Sequence, residues 1–263
     1  MHNIFNDNII YQNKDGIEYI QFKKLLQYPQ ITHCYTLRSG NKLNFPPIYK
    51  DEAMLKQSYK RICNCLNLDS SKIVKPHQTH TDNVQTVNEV KYFEEVDGLL
   101  TNKQDITLVT TSGDCISLLI YDPVKNVIGS VHSGWKGTLK AIILKAIEKM
   151  VKVYESDQKD IICCICPSIR MCCFEVEEDV KELFYKKYSN LHNIDEIIQK
   201  KGKTKYHIDT VKINIELLKN AGLKEENIID SGICTMCHPE LFHSYRIDKE
   251  NSGRNAALIS ILK

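Results

Sequence analysis

A cysteine and a histidine lie at the edges of two neighbouring apolar runs and are the first candidates for chemistry. Cys115 precedes the run that ends at Tyr121, and His132 follows the run that begins at Val127. Residues 122–126 between the runs predict a turn, so the two runs are expected to be adjacent strands. A thiolate and an imidazole at the edge of adjacent strands suit either a metal site or a nucleophile–base pair.

The metal interpretation needs a third protein ligand, because a catalytic zinc site combines three protein ligands with one open position. His80 is the preferred third ligand, since it too ends a loop before a predicted strand. His77, three residues earlier, is its rival. The candidates are far apart in the sequence, so only the fold can bring them together.

The nucleophile interpretation takes the Cys115 thiolate as the attacking group and His132 as its base. It requires an exposed thiol within hydrogen-bond reach of the imidazole. Asp114 directly precedes the cysteine, and a carboxylate close to a thiol would raise the thiol pKa. We therefore expect Asp114 to disfavour this alternative.

Cysteines are numerous, with eleven in 263 residues. The odd count and the sequence neighbours Cys163-Cys164 and Cys172-Cys173 argue against a disulfide framework. Two CxxC pairs, Cys163–Cys166 and Cys234–Cys237, would suit a closed structural zinc site. Cys163 and its neighbour lie in an apolar run, however, where one of the two must point into the core. Most of the cysteines are therefore expected to be small buried hydrophobic residues.

Short strands and a few helices are predicted along the chain. The principal predicted elements are an N-terminal strand pair within residues 1–30, a helix over 52–66, a helix running past Lys140 to Met150, helices over 177–188 and 209–221, and a closing strand over 256–262. Residues 189–205 are polar and predict a surface excursion. The strands do not alternate regularly with helices, so we predict an α+β fold.

Composition indicates an ordinary globular chain, with 42% hydrophobic and 26% charged residues. We expect residues 1–263 to form a single domain. A net charge of +2 gives no electrostatic reason to expect a nucleic acid or a membrane surface as partner. The N-terminus lacks the pattern of a signal peptide and no run is long enough to span a membrane, so a cytoplasmic location is expected.

Several motifs together resemble one known family. The segments TSGDCISLLIYDP, VHSGWKGT, QTHTDNV, DGLLTN, CFEV and FHSYRID-x4-GR are similar to those of the YfiH-type family. That family was first described as multicopper polyphenol oxidases or laccase-like proteins and is now described as purine nucleoside phosphorylases. The resemblance extends from Thr36 to Ile261. It implies a four-layer α/β/β/α sandwich of mixed sheets.

The resemblance also implies a site and a reaction. The family's zinc ligands fall on His80, Cys115 and His132, and copper is the other metal that the older name suggests. The implied reaction is phosphorolysis of adenosine, inosine or S-methyl-5'-thioadenosine to free base and ribose 1-phosphate, with adenosine deamination as a second activity. Purine nucleosides and phosphate would be the partners, and the protein would be a monomer or homodimer.

Phosphorolysis requires cations for phosphate, and deamination requires an acid that moves protons. The candidate cations are Arg38, Lys136 and Arg246, and Lys136 lies close to a predicted helix start. Asp97 and Glu175 are the candidate acids.

The chain departs from the family pattern at three positions. Lys136 replaces an arginine, Ser133 an alanine, and Cys166 a glycine whose loss would narrow the pocket if that glycine lies against the ligand. Trp135, the single tryptophan, is expected to pack in the interior rather than stack on a purine.

Three alternatives remain beside the phosphorylase hypothesis. The same fold has been grouped with cysteine hydrolases and deamidases, which keeps the Cys115–His132 nucleophile hypothesis open. A zinc-stabilised protein that acts through a partner is a non-enzymatic alternative. A copper-dependent polyphenol oxidase is the weakest, because few histidines cluster in the sequence.

Overall fold

Fifteen strands and eight α-helices make up the described part of the chain, residues 4–46 and 50–263, in this computed structural model. The strands are β1 Ile9–Lys14, β2 Ile17–Phe22, β3 Ile31–Thr36, β4 Ile73–Val74, β5 Val84–Thr86, β6 Gly98–Thr101, β7 Thr107–Ser112, β8 Ile116–Asp122, β9 Val127–Ser133, β10 Ile162–Ile165, β11 Glu175–Val176, β12 Ile198–Lys201, β13 Lys205–Ile208, β14 Ile228–Asp230 and β15 Asn255–Ile261. The helices are α1 Lys23–Leu26, α2 Glu52–Leu66, α3 Trp135–Leu139, α4 Ile142–Tyr154, α5 Glu178–Tyr188, α6 Ile194–Ile197, α7 Thr210–Asn220 and α8 Tyr245–Asp248.

Two six-stranded mixed sheets form the centre of the fold. The first has the order β1-β2-β3-β15-β7-β4 and the second the order β14-β10-β8-β9-β6-β5. Three pairs are parallel, β4 with β7, β10 with β14 and β5 with β6. A small antiparallel sheet, β11-β13-β12, lies apart from them.

The sheets pack face to face and helices cover their outer faces. Alternation along β8 shows this arrangement, because Leu119 and Tyr121 enter the core between the sheets while Leu118 and Ile120 face the helices of the second sheet. Helix α2 covers the first sheet, and α4 and α7 cover the second. The expected α+β fold, a four-layer α/β/β/α sandwich of mixed sheets, is therefore confirmed.

The β8–β9 hairpin confirms the predicted strand, turn and strand. Asp122 Oδ1 accepts hydrogen bonds from the backbone N–H groups of Val124 and Lys125, which closes the turn. The register pairs Ser117 with His132. Cys115 and His132 therefore lie at the same end of adjacent strands.

The helix predicted to run past Lys140 is wrong as one continuous element. Ala141 has a φ of +58°, a left-handed conformation that separates α3 from α4. The Tyr188 hydroxyl donates to the carbonyl oxygens of Thr138 and Leu139, which satisfies acceptors at the end of α3. The apolar pattern continues across the break and so could not reveal it.

The polar segment 189–205, predicted to be a surface excursion, contains regular secondary structure. It contains α6, β12 and the start of β13, and Ile197 and Ile198 within it are buried. Residues 1–3 of the predicted N-terminal strand pair lie outside the described residues. Among the described helices, none combines the length and the apolar character needed to cross a bilayer.

Candidate active site

Three segments that are distant in the sequence bring His80, Cys115 and His132 together. His80 lies in the loop before β5, Cys115 immediately precedes β8, and His132 lies in β9. Their candidate ligand atoms all lie within 4.8 Å of one another. Cys115 Sγ is 3.8 Å from His80 Nε2, and the centroids of the two imidazole rings are 5.0 Å apart.

The buried carboxylate of Asp97 holds both histidines in place. Its Oδ1 atom accepts a hydrogen bond from His132 Nδ1 at 2.8 Å and another from the His80 backbone N–H at 3.1 Å. Its Oδ2 atom accepts from the backbone N–H and the hydroxyl of Thr81. Because Nδ1 of His132 donates to the carboxylate, Nε2 is left as the ligating nitrogen.

The loop that carries His80 adopts an unusual backbone conformation. His80 has a φ of +62°, which is uncommon for a residue with a side chain. The backbone N–H groups of Thr79, His80 and Thr81 all donate to the Asp97 carboxylate. These hydrogen bonds offset the conformational cost and direct the imidazole toward Cys115.

Gly134 supplies the space beside the cluster. A Cβ atom at this position would lie 2.6 Å from His80 Cδ2 and 3.2 Å from Cys115 Sγ. Its backbone angles, φ −67° and ψ 175°, are open to any residue. The requirement for glycine here is therefore steric rather than conformational.

The three groups perturb one another's ionisation. Burial acts to raise the pKa of Cys115, but the hydrogen bonds and charges of His132 and His80 lower it to about 6. Burial acts to lower the pKa of His132, but Asp97 and Cys115 raise it to about 9. Burial acts to raise the pKa of Asp97, which its hydrogen bond with His132 nevertheless lowers to about 2. The thiolate form is therefore favoured at neutral pH, and Asp97 stays ionised.

Asp114, beside the thiol, is engaged by other groups. Its carboxylate accepts hydrogen bonds from the hydroxyls of Thr235 and Ser244 and from the backbone N–H of Arg246. The net pKa of Cys115 is lowered because the histidines outweigh burial. The thiolate is therefore favoured in spite of the neighbouring carboxylate, and Asp114 does not exclude the nucleophile alternative.

The cluster lies in a cleft of about 1030 Å³, a size typical of small-molecule sites. Trp135, Phe174 and Tyr245 are among its aromatic lining residues. Trp135 is half-buried and also packs against the core beneath the helices. The packing role expected for Trp135 is thus observed together with a place in the cleft wall.

Of the three cations expected to bind phosphate, Arg246 lines the cleft. Its guanidinium donates to the Glu175 carbonyl oxygen at 3.0 Å. Arg38 is instead held by Asn41 Oδ1 and the Pro239 carbonyl oxygen. Lys136 is exposed, with its Nζ 5.6 Å from the centroid of the Trp135 ring. Neither Arg38 nor Lys136 belongs to the cleft lining among the described residues.

Among the described residues, four other cations in the cleft wall were not singled out from the sequence, namely Lys56, Lys75, Lys91 and Arg254. Lys56 and Lys91 are paired with neighbouring glutamates, which leaves Lys75 and Arg254 as the further candidates for phosphate. The pKa of Lys75 is lowered to about 8, first by burial and then by the positive charge of Arg254. Arg254 is the last residue of the FHSYRID-x4-GR motif and Lys75 directly precedes PHQTH. The position of each residue in or beside a motif is the sequence signal that could have identified it.

The remaining candidates lie in other environments. His77 Nδ1 lies 2.5 Å from Glu94 Oε1, so this rival ligand is paired outside the cluster. Glu175 is exposed on β11, with Oε2 3.8 Å from His207 Nε2. Cys166 is fully buried between the two sheets. Cys166 therefore does not narrow the cleft.

The two CxxC segments do not share one site, as the apolar run around Cys163 led us to expect. Cys163 is buried beneath the helical layer and Cys166 between the sheets. Cys234 and Cys237 instead cluster with Cys172 and Cys173. Alternation along the strand sends Cys163 and Cys166 into different cores. Cys172 and Cys173, from a nearby turn, are the cysteines that meet Cys234 and Cys237 instead.

Comparison with known proteins places this site in a family context. A family described as multi-copper polyphenol oxidoreductase laccase matches residues 38–262. Purine nucleoside phosphorylase YlmD of Bacillus subtilis (strain 168) is 30% identical over 224 residues, which cover 81% of this chain and 80% of the relative. Adenosine deaminase RL5, from an unknown prokaryotic organism, is 31% identical over 199 residues, covering 72% of this chain and 75% of that protein.

Some relatives are longer than this chain. It spans 55% and 53% of the lengths of the mouse and human proteins named purine nucleoside phosphorylase LACC1.

The crystal structure of the Bacillus licheniformis hypothetical protein YfiH superposes with a TM-score of 0.87 at 25% identity, covering 96% of this chain and 99% of that one. The chain therefore belongs to the YfiH-type family, whose profile is described as multi-copper polyphenol oxidoreductase laccase.

Proposed function

We propose that this protein is a zinc-dependent purine nucleoside phosphorylase with adenosine deamination as a second activity. The observation that carries the proposal is the convergence of His80, Cys115 and His132 within a cleft that also presents cations. The names of the relatives from Bacillus subtilis and the unknown prokaryote support the two reactions. Adenosine, inosine and S-methyl-5'-thioadenosine are the proposed substrates, together with phosphate.

The donor set suits zinc. One thiolate and two imidazoles match the ligands of a three-residue catalytic zinc site. Asp97 orients His132 through Nδ1, as carboxylates do for many zinc-binding histidines. When bound, zinc would act as a Lewis acid and lower the pKa of a coordinated water. Copper fits less well, because the cluster contains two histidines and no further histidine joins it among the described residues.

The chain's own residues would bind phosphate and orient the nucleoside. Phosphorolysis breaks the bond between the ribose C1' atom and the purine nitrogen and forms a bond from C1' to a phosphate oxygen. Lys75, Arg246 and Arg254 line the cleft and would hold the phosphate anion against the sugar. The aromatic lining residues would exclude water from the apolar face of the purine.

Asp97 is suited to positioning rather than to proton transfer. Both of its carboxylate oxygens accept hydrogen bonds from the chain, and its pKa is lowered to about 2, since the hydrogen bond with His132 outweighs burial. It would therefore remain an acceptor throughout the reaction. We propose His80, Cys115 and His132 as both the catalytic and the metal-binding residues.

The decisive experiment incubates the purified protein with inosine in the presence and absence of phosphate. Hypoxanthine release that requires phosphate supports phosphorolysis. Release without phosphate indicates hydrolysis, and release in neither condition contradicts the proposal. His80→Ala should abolish release, whereas His192→Ala, at an exposed histidine outside the cleft lining, should retain it.

Deamination needs a separate measurement. Adenosine should yield inosine and ammonia without phosphate, and removal of zinc by a chelator should abolish both reactions. Restoration by zinc but not by copper would support the metal assignment. Oxidation of a phenol by copper-loaded protein, without nucleoside turnover, would instead favour the polyphenol oxidase alternative.

A cysteine hydrolase is a second candidate function. The observation that favours it is the hydrogen bond from His132 to Asp97 with the Cys115 sulfur within 4.8 Å of the His132 ring nitrogen, together with a pKa of Cys115 lowered to about 6 by the histidines against the effect of burial. Alkylation distinguishes the two candidates. If zinc is the catalyst, zinc should protect Cys115 from iodoacetamide, whereas a hydrolase would be active without metal and lose activity on alkylation.

A further inference from the structure

Four cysteines form a second thiol cluster away from the proposed active site. The sulfur atoms of Cys172, Cys173, Cys234 and Cys237 all lie within 4.8 Å of one another. Cys237 Sγ is 3.4 Å from Cys173 Sγ and 3.8 Å from Cys172 Sγ. We refer to these four residues as the tetracysteine cluster.

Local backbone structure brings the adjacent pair to one side. Residues 171–173 form a turn in which the backbone N–H groups of Cys173 and Phe174 both donate to the Arg170 carbonyl oxygen. In such a turn, consecutive side chains can face the same point. On strand β10, by contrast, the adjacent Cys163 and Cys164 enter different cores.

The other pair belongs to a CxxC turn. Cys234 forms an isolated parallel bridge with Ser168, and the Ser168 carbonyl oxygen accepts a hydrogen bond from the Thr235 backbone N–H at 3.1 Å. This pairing aligns the segment after β14 with the segment after β10. It places Cys234 beside the turn that carries Cys172.

We propose that the tetracysteine cluster binds one Zn²⁺ ion in a closed, structural tetrathiolate site. Zinc–sulfur bonds of about 2.3 Å in a tetrahedron separate the sulfur atoms by about 3.8 Å. The two sulfur separations given above lie close to that value. Four thiolates leave no open position, so the ion would stabilise structure rather than take part in turnover.

The surroundings of Cys234 suit a thiolate ligand. The backbone N–H groups of Arg170 and Cys237 donate toward the Cys234 sulfur. The Arg170 guanidinium also interacts electrostatically with Cys234 while forming a bidentate salt bridge with Asp230, with both distances 2.7 Å. Hydrogen bonds to sulfur and a nearby cation stabilise thiolates.

The proposed ion would join a segment that lines one wall of the cleft to the CxxC turn, which contacts the lining residue Asp114. Ile169 and Phe174, on either side of the Cys172-Cys173 turn, both line the cleft. Thr235, next to Cys234, donates to Asp114 Oδ1 at 2.7 Å, and Asp114 also accepts from the Arg246 backbone N–H. Metal binding at the cluster would therefore position this wall relative to Cys115 without touching the substrate.

Metal content of four purified proteins tests the proposal. Wild type should contain about two zinc equivalents per chain, and Cys115→Ser about one. Cys172→Ser/Cys237→Ser should also contain about one, while Cys65→Ser, at a half-buried cysteine on α2, should match wild type. If the double variant retains as much metal as wild type, the proposal is overturned.

These counts separate the tetracysteine site from the proposed active site. If only the tetracysteine cluster binds metal, wild type and Cys115→Ser should each contain about one equivalent, and the double variant none. If only the active site binds metal, Cys115→Ser should contain none. The first outcome contradicts the proposed zinc enzyme but supports the tetracysteine site. The second contradicts the tetracysteine site but leaves the proposed zinc enzyme standing.

X-ray absorption keeps the test valid if the double variant does not fold. Zinc in Cys115→Ser should show four sulfur neighbours at about 2.3 Å. Mixed nitrogen and sulfur ligation, iron in place of zinc, or a disulfide among the four cysteines in freshly purified protein would each overturn the proposal.

Kinetics test the positioning role. With the active-site metal retained, the double variant should show a several-fold rise in KM for the nucleoside and a smaller change in kcat. It should also melt at a lower temperature than Cys65→Ser. Unchanged KM and melting temperature in a variant that has lost one metal equivalent would contradict a role in holding the wall.

Discussion

His132 Nδ1 donates a hydrogen bond to Asp97 Oδ1 at 2.8 Å, and the same oxygen accepts from the backbone N–H of His80. One buried carboxylate therefore orients both histidines of the proposed zinc site. This arrangement explains how a loop residue and a strand residue reach the same point. Asp97 is not itself a proposed ligand, so a substitution at Asp97 tests its effect on metal binding while His80, Cys115 and His132 stay unchanged.

Asp97→Asn should weaken zinc binding and activity by about 10–100-fold. The asparagine side chain is neutral and can present its N–H₂ group to His132 Nδ1. That contact would disfavour the His132 tautomer whose Nε2 atom is free to bind metal. Zinc affinity from competition with a chromophoric chelator and kcat/KM for inosine measure the effect. Asp82→Asn, at an acid on the loop that carries His80 and paired with Lys140, should behave like wild type. Equal losses in both variants would contradict the role assigned to Asp97.

Gly134→Ala should displace His80 and reduce zinc affinity. The added Cβ would lie 2.6 Å from His80 Cδ2, and overpacking of this kind costs about 1–3 kcal/mol. Gly137→Ala is the matched control, because its Cβ would meet no atom closer than 3.4 Å and alanine favours the helix. Calorimetric zinc titration of both variants tests the difference, and full zinc affinity in Gly134→Ala would show that the space is not needed.

Phosphate binding should weaken as the pH rises through about 8. Lys75 has a pKa lowered to about 8 by burial and by Arg254, so it is protonated below that pH and neutral above it. The KM for phosphate in wild type should rise about tenfold between pH 7 and pH 9, the value of one charged contact. Lys75→Arg should remove this rise because arginine stays protonated.

The control for the Lys75 experiment is Lys136→Arg, at a lysine outside the cleft lining. Its pH profile should follow that of wild type. A Lys75→Arg profile that still rises through pH 8 would assign the titration to phosphate itself or to another group.

Stability should fall as the pH drops below about 6.5. Burial lowers the pKa of His33 to about 3, and burial followed by smaller charge effects lowers the pKa of His243 to about 4. The folded chain therefore binds fewer protons than the unfolded chain, whose histidines titrate near 6.5, so protonation favours unfolding. The stabilisation is complete above about pH 6.5 and is lost progressively toward pH 4.

Urea unfolding at several pH values with a chelator present measures this loss without a contribution from metal release. The free energy of unfolding should decrease by a few kcal/mol between pH 7 and pH 5. His33→Gln should flatten the dependence even if it destabilises the protein at neutral pH. His192→Gln, at an exposed histidine, should leave the slope unchanged.

Local structure around the site could be predicted from the sequence alone. The apolar runs and the turn over 122–126 predict the β8–β9 hairpin, which places Cys115 and His132 at one end of two paired strands. Strand-rich, non-alternating order predicts the α+β class. These predictions succeed because hairpins and helices are determined by residues close together in the chain.

Convergence of distant segments could not be predicted from spacing. The place of His80 before a predicted strand favours it only weakly over His77, and the family resemblance strengthens that preference. In the structure the Asp97 carboxylate directs the His80 loop toward the thiol. Likewise, hydrogen bonds to Asn41 and Pro239 hold Arg38 away from the cleft, while Lys75 and Arg254 line it. Side-chain direction of this kind depends on contacts between segments that the sequence does not place side by side.

The cysteines show the same division most clearly. The sequence alone indicates, from the odd count of eleven cysteines and two adjacent pairs, that the cysteines do not form a disulfide framework. Only the tertiary structure decided which of them meet, since a strand sends Cys163 and Cys164 to opposite faces and a turn brings Cys172 and Cys173 to Cys237. The physical reason is that residue type sets what a side chain can bind, whereas backbone geometry and chain topology set which side chains share a point in space.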